Sequence, residues 1–237
     1  MNTNSNSYTI IYASVMVVIV AFLLAFVSSA LKPVQDKNVE LDKKKQILAA
    51  LNIRDLASNA DVEAKYDEVI VADQIIKADG TIVKEGTSKD KDGFKVDNKQ
   101  ISENNLPIYV CKVGEETKYV IPMSGRGLWG GLWGYVAIDS DFQKVYGAYF
   151  SHESETAGLG SLIAEKPFQE KFQGKHLFAG EDNSAVALTV VKKGKVEADK
   201  ADYQVDGLTG ATLTTNGVAE MVNSGLQKYV GFFNANK

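Results

Sequence analysis

From Ile10 to Leu31 the chain reads IIYASVMVVIVAFLLAFVSSAL, 22 residues with no charge, glycine or proline. Wound as an α-helix at 1.5 Å per residue it reaches about 33 Å, the thickness of a bilayer's hydrocarbon core. The pattern therefore predicts a short tail over 1–9 and a transmembrane helix over 10–31. A cleaved signal peptide is the rival reading, because Ser28-Ser29-Ala30 offers small residues to a peptidase. Against it, MNTNSNSY carries no Lys or Arg and the apolar run is longer than an ordinary signal core. Beyond Pro33, Ile47, Leu48 and Leu51 share one face of an otherwise charged helical pattern, which predicts a helical stalk over 32–60. Val62, Tyr66, Val69 and Ile70 continue at helical spacing, and Asp79-Gly80 turns the chain. From Lys84 through Glu103 ten residues are charged, which predicts a solvated hairpin tip. Its Asp90-Lys91-Asp92-Gly93 fragment has glycine at the fourth position, whereas a calcium loop needs it at the sixth.

Past residue 113 the period shortens. YVIPM (119–123), YVAI (135–138), KVYGAYF (144–150) and AVALTVV (185–191) read as strands. Leu162, Ile163, Phe168 and Phe172 suggest a helix that Pro167 starts or interrupts, and Val218, Met221, Val222, Leu226 and Tyr229 form a helical stripe within 214–230. Strands alternate irregularly with few helices, so the expected class is α+β, a mostly antiparallel sheet with flanking helices rather than a doubly wound one. Three of the 20 glycines precede Gly114 and 17 follow from there, which places close backbone approaches, and the chemistry, in the later part. The expected organisation is thus 61–113 as the membrane-proximal part of the soluble domain and 114–237 as the functional domain.

The 237 residues carry 26 Lys+Arg and 30 Asp+Glu, and none of these lies in the first 31 positions. The mean hydropathy of −0.13 therefore averages two unlike pieces. A net charge of −4 with two arginines, Arg54 and Arg126, gives no basic surface for nucleic acid. A single cysteine, Cys111, excludes an internal disulfide and multi-cysteine metal sites, and two histidines make no histidine-rich site. Redox chemistry would have to come from an organic cofactor. Lys32, Lys37 and Lys43 to Lys45 follow the apolar run and none precedes it, so the positive-inside count alone puts the large domain in the cytoplasm. The apolar helix has no ionisable group with which to carry an ion.

Three glycine-rich stretches are candidates for chemistry. Gly125 to Gly130 satisfies G-x-G-x-x-G, but its continuation, GLWGYVAI, argues for a turn and strand instead of the helix a dinucleotide site requires. Trp129 and Trp133 there are either an aromatic wall for a flat ligand or core residues. Ser151 to Gly160, SHESETAGLG, follows a strand. A serine hydrolase pairing of His152 with Ser154 or Ser161 lacks a G-x-S-x-G elbow, and a turn offering backbone amides is the more natural reading. Asp206 to Thr215, DGLTGATLTT, leads into the last helix, where its hydroxyls are suited to capping and its amides to binding a phosphate.

Asp206 to Thr214 resembles the D-x-x-[ST]-G-A-T-x-[ST] signature of flavoproteins whose FMN is joined to threonine by a flavin transferase. With Glu155 to Gly160 and the Gly-Leu-Trp loop, the chain resembles, over essentially its whole length, the C-subunit family of Na+-translocating NADH:quinone reductases. The related G subunit of the Rnf-type ferredoxin:NAD+ complex shares the signature. A cofactor-free anchored scaffold, its threonines only capping a helix, is the alternative from another class. The resemblance implies FMN borne by Thr212 as a phosphoester. Asp206, Thr209, Gly210, Ala211, Leu213 and Thr214 would hold the phosphate or serve recognition by the transferase. Glu155, Thr156, Leu159 and Gly160 would line the flavin, with Leu128 and Trp129 nearby. It also implies an inner-membrane subunit with a periplasmic domain, working only with the other subunits of a complex that passes electrons from NADH to quinone and exports Na+. Two departures stand out: Ala157 occupies a position usually held by proline, and Thr209 one usually held by serine. The first loosens the loop on which Thr156 sits.

Overall fold

The computed structural model describes residues 5–97, 100–180 and 183–237. The chain divides into two compact units, Met1–Lys43 and Lys44–Lys237. Helix α1, Asn6–Ala50, supplies the first unit and the opening residues of the second, and runs unbroken through Pro33. Its apolar stretch is long enough to cross a membrane and its side chains are exposed. The transmembrane and stalk segments expected as separate pieces are therefore one helix. The stalk also ends early. Residues 51–58 are not helical, and Asn52 and Asp55 adopt left-handed backbone (φ 61° and 60°) that a helix cannot continue. A new helix, α2 (Asn59–Val69), starts where the Ser58 hydroxyl accepts the Asp61 amide.

In the second unit a six-stranded antiparallel sheet runs in the order β2-β1-β3-β4-β5-β6. Its strands are β1 (Ile70–Ile76), β2 (Ile82–Lys84), β3 (Leu106–Val113), β4 (Glu116–Arg126), β5 (Gly131–Asp139) and β6 (Val145–His152). Successive side chains of a strand point to opposite faces, and both faces are covered. Ile108, Ile121, Val136 and Phe150 join a core with helices α4 (Thr212–Gln227) and α5 (Val230–Ala235). Tyr109, Val120 and Ala137 join a second core with Ile47, Leu48 and Leu51 and with Tyr66 of α2. A parallel pair, β7 (Thr189–Val191) and β8 (Gln204–Asp206), carries the chain into α4. Between β6 and β7, 3₁₀ turns flank the short helix α3 (Lys166–Gln169), near whose start Pro167 sits.

Five readings change. Ile70 continues the spacing of α2 in sequence but begins β1, and β3 was not expected. The break expected at 113/114 falls inside the β3–β4 hairpin, at Gly114 (φ 64°), so the 61–113 segment belongs to the same sheet as the rest. The strand expected over 185–191 shortens to β7. The charged 84–103 segment is no solvated hairpin tip. Of its described residues, Phe94 is buried against Tyr66, and the Asp92 and Phe94 amides donate to Asp73 Oδ2 at 2.9 and 2.8 Å. Residues 98 and 99 of that segment lie outside the described residues.

The outward carbonyls of edge strand β6 are covered in succession. Asn52 Nδ2 donates to Tyr146 O, Arg54 Nη2 to Ala148 O, and Gln169 Nε2 to Phe150 O. Gln169 Oε1 accepts from Arg54 as well, and its amide nitrogen also reaches Ala164 O. An edge strand is thus closed by side chains, and the 160–169 segment is fixed beside it.

Candidate functional site

The three glycine-rich stretches meet at one end of the sheet. Arg126 ends β4, Gly131 begins β5, and the Gly127 amide donates to Gly130 O at 2.8 Å across the tip. The G-x-G-x-x-G match is therefore a hairpin, as its continuation predicts. Both tryptophans belong to β5 or its turn, but they part company. Trp133 packs at the second core and donates to Gln46 Oε1 at 3.0 Å, whereas Trp129 is 65% exposed. The wall imagined from two tryptophans has only Trp129.

The 153–155 segment grips that tip. The Glu153 amide donates to Gly131 O at 2.9 Å, Ser154 Oγ to Trp129 O at 3.0 Å, and the Trp129 amide to Glu155 Oε1 at 2.9 Å. Ser154 is thus spent on the hairpin, and Ser161 Oγ accepts the Gly158 amide, so no serine nucleophile pairs with His152 among the described residues. His152 Nδ1 instead accepts the Glu155 amide at 3.2 Å. The turn that follows is held by backbone bonds. Thr156 O accepts the amides of Leu159 (3.1 Å) and Ser161 (3.2 Å), and Gly158 supplies the positive φ of 74°. The Thr156 side chain is exposed.

Helix α4 opens at Thr212, with Ala211 at the cap position and no side-chain cap. The capping role expected for the hydroxyls is not used. Thr214, 2% exposed, donates to Glu155 Oε2 at 2.5 Å, and Thr215 Oγ1 accepts the Leu208 amide at 3.3 Å. Thr209 is exposed on the loop, and Gly210 (φ 73°) turns the chain beneath Leu159. Thr212 is half-buried, and its hydroxyl has no protein partner among the described residues. Close approach of α4 to the tip depends on Gly217, where a Cβ would strike Arg126 O.

Asp206 faces elsewhere. Its carboxylate accepts from Lys193 Nζ and the Gly194 amide, while its carbonyl accepts from Lys171 Nζ at 3.0 Å. Burial presses this carboxyl upward, but the Lys193 and Gly194 bonds outweigh it and hold it below the usual carboxylate range. Asp206 therefore anchors the β8 end from which the Gly207–Ala211 loop departs. Cys111 is fully buried, and burial pushes its thiol up, away from reactivity.

Leu128, Trp129, Leu159, Leu162 and Leu213 are exposed large apolar side chains. All five sit on the segments that Glu155 and Thr214 tie together. Such residues are costly to leave bare and mark a binding surface. Leu162 and Ser154 were not anticipated as part of this site. The signal for Leu162 was an apolar residue just past a glycine turn, and Gly217 within an apolar helical stripe signalled a close approach. A phosphorylated flavin fits these residues: an uncapped helix N-terminus beside a free hydroxyl suits the phosphate, and the apolar side chains suit a flat ring.

A family profile described as "FMN-binding domain" matches residues 127–227, a span that holds the second and third stretches whole and the first from Gly127 onward. The chain is 34% identical over 233 residues to the C subunit of the Na(+)-translocating NADH-quinone reductase of Haemophilus ducreyi, covering 92% of this chain and 88% of that one. It is 30% identical over 247 residues to the protein of the same name from Pseudomonas aeruginosa, covering 96% and 94%. Among solved structures, the C subunit of the Na(+)-translocating NADH-quinone reductase from Parabacteroides distasonis superposes with a TM-score of 0.77 at 37% identity, covering 86% of this chain and 96% of that one.

Proposed function

The chain belongs to the C-subunit family of Na+-translocating NADH-quinone reductases, and on that premise we propose how its site carries the cofactor. It is the FMN-carrying electron-transfer subunit of a membrane complex that oxidises NADH, reduces quinone and translocates Na+. The relatives above all bear the quinone-reductase name, which favours this reading over the Rnf-type subunit, and the FMN-binding match disfavours a cofactor-free scaffold.

FMN when bound supplies the electron chemistry that these side chains lack. In our reading Thr212 bears it as a phosphoester made by a flavin transferase. The observation that carries this is the Thr212 hydroxyl, free of protein partners among the described residues, at the first residue of an uncapped helix. The α4 amides hold the phosphate, with Gly210, Ala211 and Leu213 shaping its surroundings and Thr209 and Asp206 serving transferase recognition. Leu128, Trp129, Leu159 and Leu162 exclude water from the ring, and Gly160 and Thr156 carry the turn beside it. No side chain here acts as a general acid or base. Intact mass tests the linkage: the chain co-produced with a flavin transferase is expected to gain one FMN-sized increment on the Thr212 peptide. An unmodified peptide sinks the assignment.

In our reading the anchor lies in the inner membrane with the domain on the periplasmic side, as the resemblance implies and against the lysine count, whose few lysines are interleaved with acids. A reporter fused after Lys237 is expected to be active only in its exported form; cytoplasmic activity reverses the topology. NADH and quinone sites, and the groups that carry Na+, belong to partner subunits, so the isolated chain turns over neither substrate.

A further inference from the structure

The tip of β4–β5, the 153–160 turn and the start of α4 are remote in sequence, and one buried side chain joins them. Glu155 is 7% exposed. Its Oε1 accepts the Trp129 amide and its Oε2 accepts the Thr214 hydroxyl, 59 residues away. Room for the carboxylate comes from two glycines. A Cβ on Gly127 would collide with Oε1, and one on Gly160 would lie 2.6 Å from Oε2 and 2.5 Å from Thr214 Oγ1. Both oxygens are thus engaged by the protein.

We propose that Glu155 is a positioning residue and not a ligand contact: its carboxylate is a clasp that closes the hairpin tip on α4 and is formed before any cofactor arrives. The clasp fixes the Trp129 backbone from the amide side while Ser154 fixes its carbonyl, so the indole is presented outward from a rigid turn. It also commits the Thr214 hydroxyl as a donor, leaving Thr212 as the free hydroxyl of the pair. The inference rests on the flavin reading only for what the clasp serves; the clasp itself is a property of the cofactor-free chain.

Hydrogen exchange of the Trp129 amide in the full, cofactor-free chain tests it. Loss of the buried bond to Glu155 Oε1 is expected to speed exchange at least about tenfold in Glu155→Ala. Glu155→Gln keeps an oxygen for Trp129 and can donate its amide to Thr214, so its exchange should stay within about threefold of the parent. Thr214→Val, which removes the second contact without touching Glu155, should raise exchange too, and adding it to Glu155→Ala should change nothing further. Flavin incorporation by the transferase should fall in the same order. Parent-like exchange in Glu155→Ala, a Gln variant as fast as Ala, or additive effects in the double variant would each overturn the clasp. Absence of an FMN increment on the parent chain defeats the flavin reading instead, and the exchange result still stands or falls by itself.

Discussion

Thr212→Ala is expected to abolish covalent flavin: no FMN-sized mass increment and no fluorescence of the denatured band, where the parent has both. The all-or-none size follows from how the neighbouring hydroxyls are used. Thr214 is buried and donates to Glu155, and Thr215 is fully buried and accepts the Leu208 amide. Thr209 stands on the exposed loop before Gly210, off the helix. None replaces a hydroxyl at the first helical residue, where the uncapped amides gather. Alanine is the best helix former, and Thr212 makes no side-chain bond to lose, so stability should stay within about 0.5 kcal/mol. Thr212→Ser keeps the hydroxyl and is expected to keep the flavin. Fluorescence retained in the denatured Ala variant means attachment elsewhere and removes Thr212 from its role.

The residues that make this site were legible in sequence as three separate stretches, while their assembly was not. Asp206 to Thr215 announced itself because glycines and hydroxyls sit where a helix begins, and the structure starts α4 at Thr212. The strands β4, β5 and β6 were readable from β-branched and aromatic runs bounded by glycine. β3 was hidden because Leu106–Cys111 is buried on nearly every position, so it shows no alternation. β1 was masked by Val62, Tyr66, Val69 and Ile70, whose helical spacing runs one residue past the true end of α2. Glycine density suggested a boundary at 113 for a different reason: it marks the functional end of a sheet that itself continues across that point. The Glu155–Thr214 bond spans 59 residues and no local period encodes it. Asp206, prominent in the signature, proved to hold the end of β8 through Lys193 and the Gly194 amide, partners that the signature does not contain.

Asp73→Ala should be the most damaging substitution at a polar residue outside the site, and its conservative partner should do the opposite. Asp73 is fully buried in β1, opposite Tyr109 of β3. Its Oδ2 gathers the Asp92 and Phe94 amides, which folds the charged segment back and seats Phe94 beside Tyr66. Alanine orphans both amides, a loss of about 3 kcal/mol after allowing for the relief of not burying a carboxylate. Among the described residues the other oxygen, Oδ1, has no partner, nor has the buried Tyr109 hydroxyl. Burial therefore pushes the Asp73 carboxyl up, against the two amides and with repulsion from Asp92 adding to the rise. A folded-state pKa above the unfolded value means the folded chain binds the proton more tightly. The stability this gives is complete below the unfolded pKa of about 3.9 and is lost as pH rises through the folded pKa. Asp73→Asn keeps one oxygen for both amides and has no charge to bury. Its stability relative to the parent should therefore improve from about pH 4 to pH 7, reaching parity or a gain of about 1 kcal/mol. Urea unfolding of the parent, Asn and Ala chains in detergent across that range measures it. A relative stability that worsens as pH rises would mean that the two amides outweigh burial and that the carboxylate is favoured in the fold.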